Sequence, residues 1–263
     1  MTIGRGALIL ATAGAFALVA RSVVRGLPSP AVAVIVLVAY VALVILGVLF
    51  SRFGMFADIL VRGPRGARGV ALTFDDGPDP TTTPRILELL AGAHAKAAFF
   101  VIGHKAEQHP ELVRDILARG HVIGVHGYTH DRLFAMRSAR TIRADLCRAI
   151  AVIEQISGQR PRLFRAPVGH VSPPVAAVAR ELELELVGWT VKSLDGWSGT
   201  KPERVLDRVI PRLDDRAIVL LHDAAERGDF VPASLQALPE ILTVAARRRL
   251  ELVRVDEWLD PAQ

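Results

Sequence analysis

The feature that most constrains this 263-residue chain is an uninterrupted apolar run, Ala31 to Phe50, reading AVAVIVLVAYVALVILGVLF. Twenty residues in a helix reach about 30 Å, the thickness of a bilayer's hydrocarbon core. A helix that is apolar on every side is not readily buried by a water-soluble domain of this size. The run is therefore read as a membrane span, preceded by Pro28 and Pro30 and closed by Ser51-Arg52. An earlier run, residues 6–24, is milder and rich in Ala. It fits either a first span or the core of a signal peptide. A helical hairpin is the more economical of the two, so residues 1–66 are expected to form a membrane anchor and residues 67–263 the folded domain.

Charge follows the same division. Residues 1–66 hold six Arg, no Lys and one Asp, whereas residues 67–263 hold 26 basic and 26 acidic side chains. The formal net charge of +5 thus belongs to the anchor, and a neutral body argues against a nucleic-acid partner. Arg21 and Arg25 favour a cytoplasmic connection between the two runs, with the main domain outside. Arg52, Arg62, Arg65 and Arg68 pull the other way, but large domains translocate largely regardless of charge. The expected location is the inner membrane, with the folded domain outside the cytoplasm. The single cysteine, Cys147, excludes an internal disulfide and any cysteine-rich zinc site. It lies in a helical pattern and is read as a core residue.

Beyond Gly69, short apolar runs alternate with longer amphipathic ones. Expected strands are 70–74, 97–102, 121–125, 162–165, 185–189, 217–221 and 251–255. Helical patterns lie between them at 84–92, 110–119, 141–157, 174–183, 202–213 and 232–249, mostly opening on or near a proline. Such alternation indicates an α/β fold with a parallel sheet. It fits a compact, incomplete (β/α) barrel, with a doubly wound open sheet as the alternative. In a barrel, chemistry gathers at the C-terminal strand ends, and the polar candidates follow that rule. Asp75-Asp76 follow the first strand, His126 and His130 the third, Arg165 ends the fourth, Asp195 follows the fifth and His222-Asp223 the sixth.

Each candidate has a chemical logic. Adjacent carboxylates repel, so two ionised aspartates need a metal or a cation nearby. Two imidazoles four residues apart converge on one metal if the segment is helical or tightly turned. One aspartate with two histidines makes a three-ligand set with an open position, as catalytic zinc requires, although other divalent metals suit the same donors. Arg165 is placed to pair with one of the aspartates.

TFDDGP, HGYTH, RAPVG, SLDGW and LLHD, in that order over residues 68–258, resemble the motifs of the polysaccharide deacetylase family, the NodB homology domain. The resemblance implies a distorted (β/α) barrel and metal-dependent removal of N-acetyl groups from amino-sugar glycans or glycolipids. It assigns Asp75 as general base and Asp76, His126 and His130 as ligands of a divalent metal, with zinc the leading choice. His222 becomes the acid for the leaving amine, raised in pKa by Asp195, and Arg165 orients Asp75. Val168 lends a backbone N–H to the oxyanion, while Leu220 and Trp197 line the acetyl pocket. No protein partner is predicted.

Several positions depart from the family pattern. Gly127 stands where Ser or Thr is usual, Val125 where Asn often precedes the histidine, and Val168 where an aromatic is common. Gly196 separates Asp195 from Trp197, and Lys192 occupies a place where an acid is frequent. These changes point to a subfamily with a different substrate cleft. An O-acetyl esterase on polysaccharide and a catalytically silent glycan-binding protein are the competing readings.

Overall fold

A computed structural model describes residues 1–259. Two long helices come first, α1 (Ile3–Arg25) and α2 (Pro30–Leu49). Ser29 caps α2 and Pro30 occupies its first turn, where a missing N–H costs nothing. The helices form a hairpin, with the Thr12 hydroxyl 3.1 Å from the Tyr40 hydroxyl. Both are long and apolar enough to cross a membrane, and large apolar side chains such as Leu10, Phe16, Ile35 and Leu37 face outward along them. The start of α1 and the end of α2 meet the rest of the chain together. The Thr2 hydroxyl donates to Gly54 O, Arg5 pairs with Asp58, and Val171 N–H donates to Val48 O.

The remaining elements are β1 (Ala71–Asp75), α3 (Thr83–Gly92), β2 (Ala97–Val101), α4 (Gly103–Gln108), α5 (Pro110–Ala118), β3 (Val122–Val125), α6 (Ala139–Ser157), β4 (Leu163–Phe164), α7 (Pro173–Glu181), β5 (Glu185–Leu186), β6 (Val191–Lys192), α8 (Pro202–Val209), β7 (Ile218–His222) and α9 (Ser234–Arg247). All seven strands pair in parallel, in the order β5-β4-β3-β2-β1-β7-β6. That is the cyclic order of a (β/α) barrel left open between β5 and β6. The expected incomplete barrel is what the chain adopts, and the doubly wound sheet is not.

Alternation along the strands sorts the core. Leu72, Phe74, Phe99 and Val101 pack outward against the helices. Ala71, Ala98, Phe100, Leu163 and Ile218 fill the barrel interior with Val255 and Trp258. The interior is narrow, which is why Gly124 stands on β3: a Cβ there would meet the Phe100 ring at 2.6 Å and the Leu163 Cβ at 3.0 Å.

Three expectations need correction. Residues 251–255 do not form a strand. Leu252 makes one bridge to Val70, then a capping box between Arg254 and Glu257 turns the chain so that Trp258 plugs the interior. The strand expected over 185–189 is only Glu185–Leu186 (β5), and a further, unexpected strand, β6, follows at Val191–Lys192 across the barrel opening. The Val187 and Gly188 carbonyls between them accept from the Arg165 side chain instead of from a strand. Cys147 is exposed, because the buried stripe of α6 runs through Ile142, Leu146, Ala149, Ile150 and Ile153 and misses it.

Gly124→Val should overpack the barrel against Phe100 and cost about 1–3 kcal/mol. Denaturant unfolding of the detergent-solubilised protein would measure the loss. An unchanged midpoint would mean that the interior is looser than described.

Candidate active site

Register brings the candidate residues together. On the β1–β7 pair Asp75 lies opposite His222, and on the β3–β4 pair Val125 lies opposite Phe164. His126 and Arg165 therefore leave the sheet side by side. Asp75, Asp76, His126, His130, Leu220 and His222 all line one cavity of about 560 Å³ at the C-terminal strand ends, with Val168 and Trp197 on its wall. Arg165 and Asp195 lie behind that lining, both fully buried.

Arg165 supports the site from beneath. Its Nη1 donates to Asp75 Oδ1 at 2.6 Å and to the Thr73 hydroxyl at 2.9 Å. Nη2 and Nε reach the carbonyls of Gly188 and Val187 at 2.9 and 3.2 Å. The guanidinium stacks over the Phe100 ring, 4.1 Å from its centroid. Burial lowers its pKa from the ordinary value, and the Asp75 charge opposes that shift. The Arg165 carbonyl accepts a hydrogen bond from His126 Nδ1 at 2.7 Å. Since a carbonyl only accepts, that proton sits on Nδ1 and Nε2 is turned toward the aspartates.

Asp76 adopts a left-handed backbone (φ 73°), which turns its carboxylate across the cavity toward the histidines. Lys105 Nζ holds this turn by donating to Asp76 O and Ala225 O, both at 2.7 Å. Asp76 Oδ1 is buried without a hydrogen-bond partner, 3.5 Å from His126 Nε2 and 3.3 Å from His130 Nε2. Metal bonds of about 2.0–2.1 Å in a tetrahedron give edges of about 3.3–3.4 Å. An orphaned carboxylate oxygen at those separations from two imidazole nitrogens fits a divalent ion, and these three residues form a metal-competent group. Burial alone would raise the Asp76 carboxyl, but His126 and the charges of His222 and His130 hold it well below the usual carboxylate range. Burial lowers His130, helped by the His126 charge. His126 is also pushed down by burial, yet the Asp75 and Asp76 carboxylates leave it raised.

The loop carrying both histidines is held by a residue with no motif signal. Asp145 on α6 accepts from the backbone N–H of Tyr128 and Thr129 and from the Thr129 hydroxyl, at 2.7, 3.1 and 2.8 Å. Gly127 has φ +77°, and a Cβ there would approach Asp145 Oδ1 to 3.1 Å. The missing Ser/Thr hydroxyl is thus replaced by a carboxylate from the neighbouring helix. Glu226 was also invisible to motif reading. Its Oε1 lies 3.3 Å from His130 Nδ1, and Arg132 grips it at 2.6–2.9 Å.

His222 faces the cavity from the other side. Its Nδ1 donates to Asp195 Oδ1 at 2.8 Å, its backbone N–H donates to Asp195 Oδ2 at 2.7 Å, and the Ser193 hydroxyl braces the same carboxylate. Nε2 is left 3.9 Å from Asp76 Oδ2. Burial opposes protonation of His222, but the Asp195 charge and hydrogen bond overcome it and raise the imidazole to about 9. Asp195 is itself lowered, since the imidazolium outweighs the burial that would raise it. Gly196 is required here: a Cβ would fall 2.9 Å from the His222 ring. That contact sends Trp197 to the rim, 71% exposed.

Val168 also has a left-handed backbone (φ 60°), uncommon and strained for a β-branched residue. Among the described residues its N–H donates to no acceptor, and the residue is 40% exposed on the cavity wall. Gly169 beside it lets Trp189 close in, since a Cβ would lie 2.2 Å from that indole. Trp189 and Phe230 complete the wall without having been singled out by sequence.

A buried, metal-competent Asp-His-His group thus lies at the C-terminal strand ends of a parallel (β/α) barrel, faced by a carboxylate-paired histidine. The model of the polysaccharide deacetylase family matches residues 62–187. Two peptidoglycan-N-acetylglucosamine deacetylases from Bacillus cereus are 33% and 35% identical over 180 and 181 residues, covering 68% of this chain and 64% and 84% of theirs. The structure of peptidoglycan deacetylase PdaC from Bacillus subtilis aligns with a TM-score of 0.66 at 29% identity, covering 74% of this chain and 91% of that one. A family 4 acetyl xylan esterase from Clostridium thermocellum, in complex with a cobalt ion, aligns with a TM-score of 0.65 at 31% identity over 72% and 89%. The chain belongs to the polysaccharide deacetylase family. Asp195 and His222 lie beyond the segment that the family model matches, and the fold brings His222 to the same cavity with Asp195 behind it.

Two predictions follow from this geometry. A folded-state pKa raised from 6.5 to about 9 stabilises the protein below the unfolded value, and that contribution is lost as pH rises from 6.5 through 9. In metal-free protein, the His222 ring should stay protonated at pH 7 by NMR, and Asp195→Asn should bring its titration back toward 6.5. Titration of the wild-type ring near 6.5 would refute the pairing. Asp145→Ala should weaken metal binding about 10–100-fold without removing a ligand, as loss of such outer support does. Competition with a chromogenic chelator would measure it.

Proposed function

We propose that this chain is a membrane-anchored, metal-dependent deacetylase that hydrolyses N-acetyl groups on amino-sugar residues of a glycan or glycolipid, releasing acetate and a free amine. The observation that carries the reading is the unpartnered Asp76 Oδ1 facing two imidazole nitrogens, with Asp75 and His222 on either side. Asp76, His126 and His130 would hold a divalent metal, zinc being the first choice for one carboxylate and two imidazoles. When bound, the ion polarises the acetamide carbonyl and lowers the pKa of the attacking water.

The chain's own groups supply the rest. Arg165 occupies Asp75 Oδ1, so Oδ2 is the oxygen that takes the water's proton. The free Val168 N–H is aimed at the developing oxyanion. His222 Nε2 delivers a proton to the departing nitrogen, and Asp195 keeps that proton in place at neutral pH. Leu220 and Trp197 line the space for the acetyl methyl and the sugar. A histidine held protonated to about pH 9 favours amide over ester cleavage, because an amine leaves poorly without an acid. A silent binding protein is disfavoured, since none of Asp75, Asp76, His126, His130 and His222 is replaced.

The two apolar helices support an anchor in the inner membrane with the barrel outside the cytoplasm. Arg21 and Arg25 at the far end of the hairpin agree with that orientation.

Acetate release from a panel of N- and O-acetylated glycans, with and without chelator, tests the reading. Asp75→Asn should lower kcat about 10²–10⁴-fold and leave the metal bound, as removal of a general base does. His126→Ala should lose both metal and activity. Chelator-insensitive hydrolysis, or purified protein that binds no divalent ion, would sink the mechanism.

A further inference from the structure

A second cavity, about 680 Å³, adjoins the catalytic one and shares Val168, Gly169, Trp189 and Lys192 with it. Its other wall is the end of α2 and the turn after it, Leu49 to Phe53. Six basic or imidazole side chains line it: Arg52, Arg62, His170, Lys192, Arg208 and Arg212. No Asp or Glu does. Arg62 is paired with Asp214. Among the described residues, Arg52, Lys192, Arg208 and Arg212 meet no carboxylate within ion-pair distance. Their contacts are instead to carbonyls and rings. Arg208 donates to Lys192 O, Arg212 donates to Arg208 O, Arg52 lies over Phe53 and Lys192 over Trp189. Among the described residues three arginines of this cavity have no carboxylate partner, and Lys192 feels Asp75 of the adjoining cavity only at longer range, so the cavity carries an excess of positive charge that suits an anion.

The position of the cavity says which kind. It opens where an apolar helix ends, with Phe50 and Phe53 partly exposed beside Arg52. Aromatic and basic residues at a helix end mark the level of lipid phosphates. Lys192 stands at the junction of the two cavities, where its charge faces the path between them.

We propose that the substrate is an N-acetylated amino sugar carried on a phosphate-bearing membrane lipid. The phosphate sits among Arg52, Lys192, Arg208 and Arg212, the lipid chain runs along the end of α2, and the sugar reaches past Trp189 to the metal-binding group. This rests on the deacetylase reading and narrows its substrate class from glycans in general to a lipid-linked sugar.

The test uses the full chain in mixed micelles. Acetate release would be compared for a polyisoprenyl-phosphate-linked N-acetylhexosamine, the soluble N-acetylhexosamine 1-phosphate and a neutral N-acetylated oligosaccharide. The lipid-linked sugar should be preferred over both by kcat/KM. Arg52→Gln combined with Arg212→Gln should reduce that preference about tenfold or more, through KM, as two arginines at a lipid surface warrant. Equal preference in wild type and variant would overturn the proposal. So would soluble sugar phosphate matching the lipid-linked form, which would assign the cations to a free anion. Binding keeps the two readings separable. Asp75→Asn protein should retain polyisoprenyl phosphate over the uncharged polyisoprenol in the same micelles, whether or not any substrate is hydrolysed. Failure of the wild-type chain to hydrolyse any of the three substrates, with that binding intact, would count against the deacetylase reading alone, and equal binding of phosphate and alcohol would count against the cavity's assignment.

Discussion

The Arg165 guanidinium is the interaction on which the rest of the site depends. It is a full charge in the barrel interior, which is tolerable only because each face of its fork meets an acceptor. One nitrogen takes Asp75 and Thr73 on β1, the others take carbonyls of the segment that crosses the barrel opening, and the plane lies on Phe100 of β2. The same residue's carbonyl sets the tautomer of His126. One side chain therefore bridges the open barrel, holds the Asp75 carboxylate and fixes the His126 imidazole that the proposed function assigns to the metal. Removing such a partner leaves Asp75 buried and uncompensated, a change that costs about 3–5 kcal/mol in comparable buried pairs. Stability and chemistry are coupled at this point.

Around that centre, three carboxylates divide the work by environment. Asp75 is fixed through one oxygen and free through the other. Asp76 faces nitrogen atoms with an oxygen that no proton donor among the described residues satisfies. Asp195 is sealed from solvent and spends its charge on His222. The same functional group thus suits the proposed roles of base, ligand and orienting partner because the backbone delivers each to a different set of neighbours. Left-handed turns at Asp76 and His130 do much of that steering, as does the one at Val168. Strain of this kind persists where surrounding contacts overdetermine it, and Lys105 on the Asp76 carbonyl is one such contact.

Much of this was legible in the order of residues. Period-two and period-3.6 patterns located most of the strands and helices, and polar residues just past the strands pointed to the catalytic end. It was less legible where a side chain competes with a ladder. Residues 185–189 read as a strand, but Arg165 takes the carbonyls that a strand would use. Residues 251–255 read as a strand, but Trp258 has a vacant barrel end to fill. Asp145 and Glu226 carry no motif because their role is defined by distance to a loop on another element.

The sequence by itself determined the two apolar N-terminal helices, the parallel α/β class and the chemical identity of the site groups. These depend on local periodicity and on residue types at fixed short spacings, which physics reads along the chain. Only the tertiary structure decided which oxygen of Asp75 is free, that Trp197 stands at the rim, and that Arg52, Lys192, Arg208 and Arg212 line a cavity joining the end of α2 to the candidate active site. Those are relations among residues tens to more than a hundred positions apart. They exist only after parallel pairing has set the register, because a shift of one residue would turn strand side chains such as Asp75, Leu220 and His222 to the other face of the sheet and move the loops that follow.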